Sequence, residues 1–177
     1  MMGTAVGTSY RAAILPEGDM RIDLGRRGDY AIRAGVLLAR ERGRLVKSQE
    51  VAATMDIPQR FVHHVLADLV RAGLARSTPG PHGGYELARE PEAISVLEVV
   101  EATEAEVRAT VCPLRGGPCR WDDSCALHPT WARAQQALLD ELATGNLAAL
   151  AAADADLERA QQTSAAEPHA PRAAREP

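Results

Sequence analysis

Residues 48–89 read SQEVAATMDIPQRFVHHVLADLVRAGLARSTPGPHGGYELAR, and this stretch decides the fold. Residues 48–55 are the length of one short helix, with Ser48 as N-cap and Val51, Ala52 and Met55 facing inward. Asp56 and Ile57 make a tight turn. Pro58 takes the first position of the next helix, where its missing N–H costs nothing. That helix runs to about Ala72 on an apolar stripe of Val62, Leu66, Leu69 and Val70, and Gly73 ends it. Leu74-Ala75-Arg76 and Tyr85-Glu86-Leu87 are two short strands. Pro79, Gly80, Pro81, Gly83 and Gly84 supply the turn chemistry between them.

Upstream, residues 29–42 (DYAIRAGVLLARER) form a helix with Ile32, Val36 and Ala39 on one stripe, and Gly43 closes it. Downstream, Ser95-Val96-Leu97-Glu98 is a capping box that opens a helix reaching about Ala102. Helix, short helix, turn, helix and glycine-rich hairpin, in that order, are the layout of a winged helix-turn-helix. The fold class expected is mainly α with a small β wing, followed by a long C-terminal dimerisation helix. That last helix spans about residues 127–143 and carries Leu127, Trp131, Ala134, Leu138 and Leu142 at helical spacing. Such a stripe packs on the same helix of a second subunit or on its own winged domain.

The organisation that follows has four parts. Residues 1–19 are a flexible leader, with Met20 an equally good start; 20–91 are the winged unit; 92–157 hold a cysteine loop and the dimerisation helix; 158–177, polar and proline-punctuated, are a disordered tail.

The chain of 177 residues has a net charge of −4 that hides a division. Residues 20–90 carry 12 basic and 8 acidic side chains, whereas residues 91–177 carry 7 and 14. A basic module joined to an acidic one suits a nucleic-acid-binding unit attached to a sensor. Of the basic residues only Lys47 is a lysine. No run approaches the roughly 18–20 apolar residues of a membrane span. The N-terminus lacks the pattern of a secretory signal, so a cytoplasmic setting is expected. No triad, phosphate loop or paired carboxylates stand at telling positions, and an enzyme is not expected.

Cys112, Cys119 and Cys125 lie within 14 consecutive residues. An odd number of cysteines without an export signal argues against a disulfide framework and for metal or redox chemistry. Gly116, Gly117 and Pro118 let the loop bend around a bound group. Thiolates are the usual ligands of iron–sulfur clusters, and three leave one of four positions open. His128 follows Cys125 at i+3 and would share its face on a helix. Three cysteines and a histidine also suit tetrahedral zinc. Asp29 and His128 have plainer readings as well: a helix N-cap and a polar residue at a helix start.

Residues 20–150 resemble the IscR/NsrR family of bacterial iron–sulfur transcription regulators. The resemblance rests on Met20-Arg21, Asp29-Tyr30-Ala31-Ile32-Arg33, Arg71-Ala72-Gly73-Leu74 and the wing Gly80-x-x-Gly83-Gly84-Tyr85-x-Leu87-Ala88-Arg89. Ile94-Ser95-Val96-x-Glu98-Val99-Val100 and the three cysteines complete it. It implies a homodimer on double-stranded operator DNA, acting as a repressor, with a cluster sensing redox state, nitric oxide or iron–sulfur status. It also implies two candidates for the fourth ligand. His128 stands where IscR-like members place a histidine, suggesting a two-iron, two-sulfur cluster. Asp29 stands where NsrR-like members place a carboxylate from the partner subunit, suggesting four-iron, four-sulfur. The alternative is a zinc-stabilised or thiol-based DNA-binding regulator without a cluster. The gap of six residues between Cys112 and Cys119 is slightly longer than is usual in the family.

The third helix should enter the major groove with Gln59, Arg60, His63 and His64. Arginine and glutamine can make bidentate base contacts, and histidine can donate to a base or a phosphate. Phe61 is either core or a thymine contact. Where the family commonly has an arginine before the first wing glycine, this chain has Pro79, and Arg76 or His82 is expected to substitute.

Overall fold

The computed structural model describes residues 25–103 and 125–166; the leader, Cys112, Cys119 and the last eleven residues lie outside the described residues. Helix α1 (Arg26–Arg40) begins three residues earlier than the apolar pattern suggested, with Gly25 at its N-cap. Asp29 therefore sits inside the first turn rather than at the cap, where its charge still complements the helix dipole. Helix α2 (Ser48–Thr54) has Lys47, not Ser48, at its N-cap, and no side chain caps it. Helix α3 (Gln59–Arg71) starts after Pro58, which holds the cap position itself. Gly73, at φ +72°, ends α3 in the left-handed conformation.

The wing is an antiparallel pair, β1 (Ala75–Thr78) and β2 (Gly84–Leu87), with Ala75 opposite Leu87 and Thr78 opposite Gly84. Val46 and Tyr85 exchange backbone hydrogen bonds of 2.9 and 2.8 Å, fastening the hairpin to the chain between α1 and α2. Two glycines make this possible. A Cβ on Gly83 would stand 2.0 Å from the Thr78 carbonyl oxygen, and one on Gly84 2.7 Å from that of Val46.

After a 3₁₀ turn at Pro91–Ala93 comes α4 (Val96–Glu101). Its capping box forms as the sequence indicates: Glu98 N–H donates to Ser95 Oγ at 3.2 Å, and Ser95 N–H to Glu98 Oε2 at 2.9 Å. The core lies where α1, α2, α3 and α4 converge, with Leu37, Leu38, Val51, Val62, Leu66, Leu69, Ile94 and Val99 all within 2% of full burial. Asp68 is the exception in kind: a buried carboxylate on α3 that accepts from Arg27 of α1 and from Arg71 at 2.7 Å. Burial pushes this carboxyl up, but the two arginine hydrogen bonds outweigh it and hold it below the usual range.

Two helices, not one, follow: α5 (His128–Thr144) and α6 (Leu147–Ala166). Helix α6 runs through the position where the tail was expected to begin and continues to Ala166. Its alanine-rich sequence favours helix but shows little contrast between faces. What holds it is tertiary. Leu147 and Ala151 are buried against α1, and Gly35 lets Leu147 approach so closely that a Cβ there would lie 3.2 Å from its methyl carbons. Arg40 donates to Asp154 at 2.7 Å and to both oxygens of Glu158 at 2.7 and 2.6 Å. No described helix is long and apolar enough to cross a membrane.

Candidate DNA-binding face and cysteine segment

Helix α3 divides cleanly. Val62, Val65, Leu66 and Leu69 are buried, while Gln59, Arg60, His63 and His64 are exposed on the other side. The amide of Gln59 lies 3.5 Å from the His63 ring, one turn away. Phe61 is half-buried, with its ring centroid 5.7 Å from that of Tyr30 on α1. It belongs to the margin of the core, and the Arg60 guanidinium lies over its ring at 4.8 Å. The four polar residues proposed for base contact thus stand together on one solvent face, with Arg60 partly ordered by the aromatic ring beneath it.

On the wing, Arg76 and His82 are both exposed. The Arg76 guanidinium donates to the Ala88 carbonyl at 2.6 Å, so part of its capacity is spent on the wing's own backbone. A cation that the sequence reading passed over reaches the hairpin from outside it: Lys47 Nζ donates to the Pro81 carbonyl at 2.7 Å. Its signal was visible, since it is the chain's sole lysine, yet only the folded hairpin brings Pro81 to it.

Cys125 is a half-buried free thiol just before α5, and His128 is the first residue of that helix. They are joined by a turn rather than along one helix face, since Cys125 precedes the helix and its carbonyl accepts the His128 N–H at 3.1 Å. Pro129 in the first turn needs no hydrogen-bond partner of its own. Asp29 is half-buried on α1 and accepts from Arg33 Nε at 2.9 Å. Among the described residues no three metal-ligating side chains are gathered within one chain. Cys112 and Cys119 lie outside those residues.

The helix that follows has an unusual surface. None of its 17 residues is buried. Leu127 and Leu138 are 39% and 36% exposed, while Trp131 and Leu142 of the same expected stripe are half-buried. The indole N–H of Trp131 is shielded from solvent but meets no acceptor among the described residues. The far end of α5 is stitched to the winged unit: Val96 N–H donates to the Gly145 carbonyl at 2.9 Å, and Leu147 N–H to that of Ile94 at 3.0 Å.

Comparison with known proteins places this arrangement. Residues 24–153 match the Rrf2 family, described as an iron-dependent transcriptional regulator. An HTH-type transcriptional regulator of Aquifex aeolicus is 33% identical over 113 residues, covering 63% of this chain and 78% of that one. The HTH-type transcriptional regulator IscR of Escherichia coli is 34% identical over 110 residues, covering 61% and 67%. Among solved structures, CymR of B. subtilis, its global cysteine regulator, superposes with a TM-score of 0.62 at 23% identity, over 75% of this chain and 98% of that one. T. potens IscR gives 0.62 at 24%, over 82% and 93%. These structural likenesses bear on the fold: a winged helix continued by C-terminal helices. The match over residues 24–153 establishes that the chain belongs to the Rrf2 family of DNA-binding transcriptional regulators, and not to an enzyme family.

Proposed function

We propose that the chain is a homodimeric repressor whose affinity for operator DNA is set by an iron–sulfur cluster on Cys112, Cys119 and Cys125. His128, or Asp29 of the partner subunit, completes the ligand set. The observation that carries this reading is the position of the Cys125–His128 turn. It lies at the open end of α5, a helix without one buried residue, whose other end is bonded to the winged unit. The donor chemistry fits: thiolates with one imidazole or carboxylate are a ligand set for a two-iron or four-iron cluster. When bound, such a cluster supplies a link that oxidation or nitric oxide can alter.

The chain's own residues account for the coupling. Cys125 and His128 fix the start of α5, and Leu127, Ala134 and Leu138 offer the apolar surface on which a second α5 packs. A change in the turn shifts that contact. The Gly145–Val96 and Leu147–Ile94 bonds carry the shift into the winged unit, and with it the spacing of the two α3 helices. Two spacings with different DNA affinities make the switch a linkage between sites.

Anaerobic isolation, with absorption spectra and iron and sulfide analysis, tests the reading. A coloured protein with iron and acid-labile sulfide is expected. A colourless protein with stoichiometric zinc, seen by native mass spectrometry, would overturn it in favour of a zinc-stabilised or thiol-based regulator. Cys119→Ala should lose the cluster and change operator affinity. His128→Ala and Asp29→Ala separate the two ligand sets, since the true ligand's loss bleaches or converts the cluster spectrum and the other's does not.

A further inference from the structure

Between the start of α2 and the wing lies an open cleft of about 520 Å³. Its polar lining comes from Lys47, Ser48, Gln49, Ser77, Thr78 and Tyr85, with the Pro79–Pro81 turn forming one wall, and none of its lining residues is a carboxylate. Lys47 is held in place by the 2.7 Å bond to the Pro81 carbonyl. An ammonium has three donors, so two remain for another acceptor. The side chains of Ser48, Gln49, Ser77 and Thr78 make no hydrogen bond among the described residues. A fixed cation, unpaired hydroxyls and the absence of any acid form a receptor for an anion.

Which anion follows from the setting. The cleft is open rather than enclosed, and it belongs to the unit that binds DNA. Its outer wall is the exposed wing turn. Arg76, the wing's own arginine, gives one donor to the Ala88 carbonyl and does not line the cleft. We propose that this cleft receives a backbone phosphate of the bound duplex, with Lys47 as its cation and the Ser48, Ser77 and Thr78 hydroxyls as neutral donors. Lys47 supplies the cleft's cation, since neither Arg76 nor His82 of the hairpin lines it. It pins the turn through Pro81 and neutralises one phosphate. The contact positions the protein without reading a base.

The proposal rests on the DNA-binding assignment, and binding of the wild-type protein to a labelled duplex of mixed sequence reports on that assignment separately. Fluorescence anisotropy across a salt series is the test. Lys47→Ala should weaken binding to the mixed duplex and make the slope of log affinity against log salt shallower by about 0.9, the value for one phosphate released. Lys47→Arg should restore the slope. An unchanged slope in Lys47→Ala overturns the proposal. So does protection of the wild type, but not of Lys47→Ala, against thermal unfolding by inorganic phosphate alone, which would assign a site for a soluble anion. Should Lys47→Ala loosen the wing, Ser77→Ala and Thr78→Ala carry the test. A several-fold loss at unchanged slope supports the cleft, and no loss refutes it.

Discussion

Helices α3 and α5 are similar in length and both amphipathic in sequence, yet the chain treats them in opposite ways. Helix α3 buries Val62, Val65, Leu66 and Leu69 within its own domain and keeps a polar face to solvent, the one proposed to meet DNA. Helix α5 buries no residue fully, although it carries Trp131, Leu138 and Leu142 and follows Leu127. The difference separates two uses of apolar surface. In α3 it anchors the helix in the core; in α5 it stays at the surface, where the proposed second subunit would cover it.

Substitutions can break or sharpen that contrast. Leu66→Ala, in the fully buried face of α3, should cost about 2–5 kcal/mol in chemical unfolding, the usual cost of a core cavity. A loss near zero would mean α3 is less fixed than its burial implies. Gly83→Ala puts a methyl against the Thr78 carbonyl, which cannot yield without opening the hairpin. A cost of about 1–3 kcal/mol is expected by the same measurement, together with weakened DNA binding.

Asp68→Asn should cost about 2 kcal/mol at neutral pH, as expected for hydrogen bonds to a charged group. The sign of its pH dependence is set by the lowered carboxyl. Its stabilisation is fully present above the ordinary carboxylate range and is lost as pH falls through the folded value. The gap between wild type and variant should therefore close in acid and stay constant near neutrality. Leu138→Glu marks the other extreme. It should change the intrinsic stability of the winged unit by less than about 0.5 kcal/mol, as for a surface site. Sedimentation velocity should nevertheless show the dimer converted to monomer. A variant that stays dimeric would remove α5 from the subunit contact.

The parts legible in the sequence were those whose signals are local. The Val62–Leu66–Leu69 stripe, Gly73, the paired wing glycines and the Ser95–Glu98 box each act within a few residues, and each appears in the structure. Cap positions slipped by one at Ser48 and Pro58 because several adjacent residues could serve there. Helix α6 was not legible. Its alanines give no face, and its anchors, Gly35 for Leu147 and Arg40 for Asp154 and Glu158, lie more than a hundred residues away in the chain. The same holds for the candidate sites. The exposed α3 residues followed from periodicity, whereas the Lys47–Pro81 bond and the Asp68 pairing with Arg27 depend on which elements meet.

The backbone bonds joining Ile94 and Val96 to Gly145 and Leu147 have a consequence for how such a protein can change. They bring the two ends of the intervening excursion to one point on the winged unit. Everything between them in the sequence, the cysteines and α5 included, is chain whose two ends are pinned together. Lengthening a flexible part of a pinned loop is inexpensive, on the order of 0.6 kcal/mol for each doubling. The stretch between the two pinned ends is thus an interchangeable cassette: its length and composition can be rewritten while the winged unit keeps its shape.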